Sequence, residues 1–222
     1  RGFTGHGNAV VNRYLDLRDE LKGLAALPLF LSVRAAIRAH VSAAVADRQV
    51  VPPERQRQAN HARRYLMLAE ELLKPRAPRL VAIGGLSGTG KSTLAYGLAP
   101  ALGVEPGARV IRSDVVRKRM YGVALADRLP ETSYSDDETK HVYDRVISDA
   151  TIALSAGYCV VADAVFARPA QRRAIAEAAR KAGAPFTGFW LEAPIDDMLR
   201  RLELRQGDAS DATPDVLRRQ MT

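Results

Sequence analysis

The chain of 222 residues contains a single cysteine, which rules out an internal disulfide and makes a reducing compartment, the cytoplasm, the expected location. Cys159 sits in the apolar run Tyr158-Cys159-Val160-Val161 and is expected to be a small buried core residue, not a nucleophile or a metal ligand. Histidine is scarce too. His6, His40 and His61 stand too far apart to suggest a metal centre. Long apolar runs are missing: the nearest candidate, residues 24–31, is short and broken by Pro28, so no membrane partner is expected. No signal-peptide pattern is visible, and a start at Arg1 instead of methionine suggests a piece of something longer. There is no acidic excess: 33 Lys+Arg against 25 Asp+Glu give a formal charge of +8. That balance suits anionic ligands and would also suit nucleic acid, but the basic residues are scattered, as on solvated helix faces. Nucleic acid is therefore a possible partner and not the favoured one. With 47% hydrophobic residues the chain can bury one ordinary domain core and carry an appendage.

The informative stretch is GGLSGTGKST, residues 84–93, entered from Leu80-Val81-Ala82-Ile83 and left through Leu94-Ala95-Tyr96. Gly85, Gly90, Lys91 and Ser92 fit G-x-x-x-x-G-K-[ST], and an apolar strand before the loop with a helix behind it is the context this motif requires. A polyphosphate needs several backbone N–H groups aimed at one point, and glycines let the chain come close without a Cβ in the way. Residues Gly85, Leu86, Ser87, Gly88, Thr89, Gly90, Lys91, Ser92 and Thr93 are thus the candidate ATP-binding loop. Lys91 would reach the β- and γ-phosphates, and the Ser92 hydroxyl would hold Mg²⁺. A dinucleotide fingerprint is the nearest rival through Gly88 and Gly90. It fails where Thr93 replaces the third glycine.

Residues 1–74 read as helical, with helices expected over 8–22, 29–45 and 54–74, the last burying Tyr65, Leu66, Leu68, Leu72 and Leu73. Pro75-Arg76-Ala77-Pro78 reads as a linker, and a second domain spans 79–222. Strands are expected near residues 80, 109, 159 and 187, alternating with helices, which gives an α/β fold with a parallel sheet flanked by helices. Asp114 stands at the carboxyl end of the second strand, where open α/β sheets bind ligands. It reads as a helix N-cap, as a general base for a substrate hydroxyl, or as both. Arg117, one turn on, would face the same cleft. Residues 121–134 read as a mobile loop, and Ser135 to Glu138 as a capping box. The strand ending in Asp163 has the pattern of a second metal-holding carboxylate opposite Ser92, and Ala164 follows where many motor-type ATPases carry a glutamate. Arg200, Arg201 and Arg205, leading into the polar stretch 206–213, are what a phosphate-covering lid needs.

GGLSGTGKST, IRSDVVRKRM, CVVADAVF and RRLELRQGDASDA together resemble the small P-loop kinases related to polynucleotide kinase, chloramphenicol phosphotransferase and zeta toxins, over residues 79–222. The resemblance implies a P-loop NTPase fold of kinase type, ATP and Mg²⁺ held by Lys91 and Ser92, Asp114 as the base, and Arg201 or Arg205 closing over the transferred phosphate. It also implies a fifth strand, expected beyond Thr222 in a domain truncated at its C-terminus. The stretch NRYLDLRDELKGLAALPLFLSVRAAIRAHV resembles the C-terminal helices of aminoglycoside phosphotransferase-like kinases, which implies a fused kinase-like domain upstream. The leading expectation is a kinase acting on a hydroxyl of a small molecule or a nucleic-acid end. A regulatory ATP-binding module serving the fused domain is the alternative, and a basic nucleic-acid-binding module is the third.

Overall fold

The computed structural model describes residues 4–103, 105–205 and 207–221. Two compact units emerge: one joins Arg1–Lys22 to Ala77–Thr222, and the other is Gly23–Arg76. The break between Arg76 and Ala77 falls within the expected linker, but Arg1–Lys22 groups with the later residues instead of with the other helices, because helix α1 (Thr4–Leu17) packs with them. The buried face of α1 consists of Asn8, Asn12, Leu15 and Asp16, while Val10, Tyr14 and Leu17 are exposed. Polar residues at four-residue spacing, not apolar ones, mark the side that matters.

The Gly23–Arg76 unit is a hairpin of α2 (Leu27–Arg48) and α3 (Pro52–Leu72), with prolines opening α3 at positions that need no N–H donor. Its core is small: Ala35, Ala69 and Leu72, backed by Leu31 and Leu68, with the Ser32 hydroxyl donating to the Ala69 carbonyl at 2.8 Å. Leu66 and Leu73, expected inside, are exposed, as are Val33, Ile37 and Val41. Two helices can cover only one stripe each, and here that stripe is the alanine-rich one. Contrary to the expectation of no membrane-length run, α2 is long and apolar enough to span a bilayer by length and composition alone.

The other unit is built on four parallel strands in the order β2-β3-β1-β4: β1 (Leu80–Gly85), β2 (Arg109–Arg112), β3 (Val160–Asp163) and β4 (Phe186–Leu191). Parallel neighbours need crossovers, supplied by α4 (Lys91–Leu98), α5 (Ser113–Met120), α6 (Asp136–Ser155) and α7 (Pro169–Lys181). Two short helices follow, α8 (Ile195–Glu203) and α9 (Pro214–Gln220). Central strands β1 and β3 are buried on both faces, as covered parallel sheets require. Val81, Ile83, Val110 and Val161 pack on Ala95 and Ala99, and Cys159 lies in this core as its neighbours in sequence suggested. The register aligns Ile83 of β1 and Arg112 of β2 with Asp163 of β3, so the carboxyl ends of three strands meet at one rim.

The β2 edge is closed by α1. The Val110 N–H donates to Asn12 Oδ1 at 2.8 Å, and Asn12 Nδ2 donates to the Ala108 carbonyl at 3.1 Å, joined there by Asn8 Nδ2 at 2.9 Å. Arg109 completes the seam through Asn12 Oδ1 at 2.9 Å and Asp16 at 2.7 Å. A side-chain amide here takes the place of a neighbouring strand.

Candidate functional site

The phosphate loop leaves β1 with Gly85, Gly88 and Gly90 at φ of 135°, 86° and 93°, conformations that side-chain-bearing residues rarely adopt. Two of these glycines are also needed for space. A Cβ on Gly85 would lie 2.4 Å from the Leu191 carbonyl oxygen, and one on Gly88 would lie 2.7 Å from that of Met198. Lys91 then opens α4 and folds back so that Nζ donates to the Leu86 carbonyl at 2.8 Å. Burial pushes its pKa below the ordinary lysine value, and the charges of Asp163 and Asp114 pull the other way. A buried ammonium held by one carbonyl suits an anionic partner.

Ser92 and Asp163 come together as expected: the Ser92 hydroxyl donates to Asp163 Oδ2 at 2.6 Å. Burial raises the Asp163 pKa, against the pull of Arg112, Ser92 and Lys91. A hydroxyl and a carboxylate oxygen side by side at the rim beside Lys91 form the small, hard donor set that Mg²⁺ accepts when phosphate and water complete its shell. Asp114 lies in the first turn of α5, whose backbone cap is Arg112, so the N-cap reading is corrected. Its carboxylate is partly exposed and near enough for its charge to act on Lys91, Arg112, Asp163 and Tyr143.

The arginines divide. Arg201 Nη1 donates to the Gly88 carbonyl at 3.1 Å, which puts an α8 guanidinium on the phosphate loop. Arg205 Nε stands 3.7 Å from Asp208, and among the described residues its Nη1 is buried without a hydrogen-bond partner. An orphaned cationic donor, whose charge is felt by Lys91, fits a phosphate oxygen. Arg117 is not in this group. Its guanidinium is buried under the Tyr134 ring, 4.6 Å from the centroid, and donates to the Ser133 carbonyl and the Thr139 hydroxyl, so it bolts the loop before α6 in place.

Sequence reading missed four residues around this cluster. Arg112 sets Nη2 at 2.8 Å from Asp208 and Nε at 3.3 Å from Asp163, the latter not aligned for a hydrogen bond. Burial opposes its charge, yet the two aspartates outweigh that and hold its pKa above the usual arginine value. Asp211 accepts from the buried Lys118 ammonium at 2.8 Å, the Leu129 N–H at 3.0 Å and the Tyr134 hydroxyl at 2.7 Å, so residues 121–134 are tied down on this side. Gln220 of α9 accepts the Ser87 N–H of the phosphate loop at 3.0 Å. Tyr143 of α6 accepts the Phe166 N–H at 2.9 Å just beyond β3, and burial pushes its pKa up to about 12. Only an arginine closing a strand, as Arg112 does, carried a signal that could have been read beforehand.

Among curated proteins, an uncharacterized protein of Mycobacterium tuberculosis and its counterpart in Mycobacterium bovis are each 32% identical over 191 residues, covering 84% of this chain and 36% of the relative. The chain thus spans about a third of the length of the curated relatives it matches. Similar solved structures include the APS kinase of Mycobacterium tuberculosis with AMPPNP and APS, at 25% identity and a TM-score of 0.48, covering 57% of this chain and 69% of that one. A gluconokinase of Sinorhizobium meliloti follows at 20% and 0.44, covering 66% and 74%. Kti12 of Chaetomium thermophilum with ADP-AlF3 stands at 18% and 0.47, covering 64% and 78%. Residues 80–222, the whole run from β1 through the phosphate loop to the end of the chain, match the model of the AAA domain family, and the chain belongs to that family.

Proposed function

We propose that the sheet-bearing unit is an ATP-dependent phosphotransferase acting on a hydroxyl. The observation that carries this reading is the convergence of Lys91, the Ser92–Asp163 pair and the Asp114 carboxylate at the carboxyl ends of β1, β3 and β2. Asp114 takes the proton of the acceptor hydroxyl, the acceptor oxygen bonds to the γ-phosphorus, and the bond from that phosphorus to the bridging oxygen breaks to leave ADP. Lys91, Arg201 and Arg205 bind and orient the phosphates from the loop side and the lid side. Mg²⁺, when held by Ser92 and Asp163, offsets charge on the phosphate oxygens. Ala164 stands where a water-activating glutamate would favour hydrolysis, which supports transfer. The finer kinship to the polynucleotide kinase, chloramphenicol phosphotransferase and zeta toxin group belongs to this proposal, as does a cytoplasmic setting suited to the free Cys159. Small molecules are favoured over nucleic-acid ends as acceptors, because buried basic residues of this unit such as Arg109, Arg112 and Lys118 are paired with its own carboxylates.

A second reading draws on the α1 seam. The segment ahead of the phosphate loop holds the strand that leads into Asp114, so the unit could serve as an ATP-controlled regulator of an upstream aminoglycoside phosphotransferase-like domain, of which residues 1–74 would be the end. The test uses γ-labelled ATP and Mg²⁺ with pooled hydroxylated antibiotics, sugars, nucleosides and nucleic-acid 5′ ends. Transfer of label to one pool, lost on Asp114→Asn, supports the phosphotransferase. Label released only as free phosphate, unchanged by Asp114→Asn, overturns it in favour of the regulator.

A further inference from the structure

Across the rim the functional groups follow the order of the strands: the phosphate loop at β1, the Ser92–Asp163 pair at β3, then Arg112 and Asp114 at β2, with α1 outside β2. A cavity of about 230 Å³ opens at this outer end. Its walls include Ala9, Arg13 and Asp16 of α1, Tyr96 of α4, Arg112, and Asp208 from the stretch after α8. Val115, the residue after Asp114, also lines it. The cavity therefore lies at the β2 end of the rim, on the side away from the loop that would hold the nucleotide; Arg112 and Val115, which flank Asp114 in sequence, are in its walls, and Asp114 itself is not.

The charges in the walls are mostly spoken for. Asp16 is paired with Arg109 at 2.7 Å, and Arg112 is shared between Asp163 and Asp208. Arg13 is left: among the described residues no hydrogen bond or ion pair holds its guanidinium, and it is exposed. Tyr96 presents an aromatic ring, with the Arg112 guanidinium carbon 5.9 Å from its centroid, and a hydroxyl whose pKa burial raises. The volume lies below the roughly 300–1,000 Å³ of sites for drug-sized ligands, which limits an occupant to one ring or a short carbon chain.

We propose that this cavity is the acceptor site and that Arg13, from the helix ahead of the phosphate-loop sequence, recognises a single anionic group on a small hydroxylated acceptor such as a sugar acid or a hydroxylated aromatic acid. The proposal rests on the phosphotransferase reading and deepens it: α1 would then both brace β2 and select the molecule presented to Asp114. An arginine fork matches a carboxylate in two parallel hydrogen bonds, and the Tyr96 ring gives the body of the ligand a flat wall.

Titration calorimetry on the full chain without nucleotide tests this, with d-gluconate against sorbitol and 4-hydroxybenzoate against 4-hydroxybenzamide as probes. At least one acid is expected to bind saturably, at least about tenfold tighter than its neutral partner, and Arg13→Ala is expected to weaken it by at least about tenfold. Arg13→Lys should recover part of the loss, and Ala9→Trp, which fills the cavity from an exposed helix position, should abolish binding. Thermal melts by circular dichroism check that the variants remain folded. Binding of neither acid overturns the proposal, and so does binding that Arg13→Ala and Ala9→Trp leave unchanged. The phosphotransferase reading fails separately: an acid that binds through Arg13 but takes no label from ATP leaves the site standing and removes the reaction.

Discussion

Gln220 and a bound polyphosphate would compete for the same backbone donor on the phosphate loop. The Ser87 N–H is one of the donors a polyphosphate would use, and the Gln220 side chain accepts it at 3.0 Å. Nucleotide entry on this path breaks an amide hydrogen bond, a net cost of about 1 kcal/mol. Gln220→Ala should therefore tighten binding of a fluorescent ATP analogue about fivefold, while unchanged or weaker binding would show that the contact does not oppose the nucleotide. Lys91 and Ser92 could be picked out in sequence because their chemistry demands fixed residue types at fixed local spacing on a strand-to-helix turn, and Asp163 because an apolar strand ends on it. Gln220 follows no such rule. It reaches Ser87 across 133 residues of chain, and Lys118 reaches Asp211 across 93, so neither pairing left a mark that spacing could reveal. Arg117 fails for the opposite reason: one helical turn from Asp114 is the right address, but the Ser133 carbonyl and the Tyr134 ring claim its guanidinium.

Segments that read as loops are held by charge instead of apolar packing. Residues 121–134, expected to be mobile, meet the polar stretch after α8 at Asp211, which gathers Lys118, Leu129 and Tyr134. Burial raises the Asp211 pKa, but its hydrogen bonds from Lys118, Tyr134 and Leu129 outweigh that and leave it below the usual aspartate value. A carboxylate depressed in the folded state binds fewer protons there than in the unfolded chain. Its contribution to stability is present above the ordinary aspartate pKa and is lost as pH falls through the lower folded value. Asp211→Asn should flatten this part of the acid limb in urea melts collected between pH 5 and pH 3 (roughly the range in which free aspartate titrates). Asp211→Ala, which leaves the buried Lys118 ammonium with the Asp127 carbonyl but without its carboxylate, should cost about 3 kcal/mol at neutral pH. An acid limb identical to the parent's would show that the junction is not the titrating element. The same lesson applies to α1. Apolar periodicity predicted its existence but not its buried side, because Asn8 and Asn12 are buried to satisfy backbone groups at β2 and Asp16 to pair with Arg109, jobs invisible to hydropathy. Asn12→Ala leaves the Val110 N–H and part of Arg109 unpaired, and a loss of about 3 kcal/mol in urea titration is expected.

At the scale of the whole chain, the strands, their alternation with helices and the parallel sheet were readable because buried apolar runs and glycine stops announce them. The edge at the proline-rich stretch 75–78 was readable too, since one unit ends at Arg76 and the other resumes at Ala77, but the grouping of Arg1–Lys22 with the later residues was not. Arg1–Lys22 belongs with Ala77–Thr222, and Gly23–Arg76 stands between them as a hairpin with its own modest core. Two shortened proteins separate the alternatives. A chain of residues 79–222, cut where the sequence suggests, loses the Asn12 bridge and the Asp16–Arg109 pair and exposes the β2 edge. It should aggregate, or melt well below the parent, and bind nucleotide poorly because β2 leads into Arg112 and Asp114. A chain that replaces 23–76 with a flexible Gly/Ser linker of about 20 residues, spanning roughly 25 Å, keeps α1 on β2. It should bind the fluorescent ATP analogue within about threefold of the parent, since binding sites keep their affinity when the elements that position them are intact. If the 79–222 chain were as stable and as competent as the linked one, α1 would be a passenger on the sheet. If only the linked chain binds, the helix ahead of the phosphate loop is a working part of the unit that it enters.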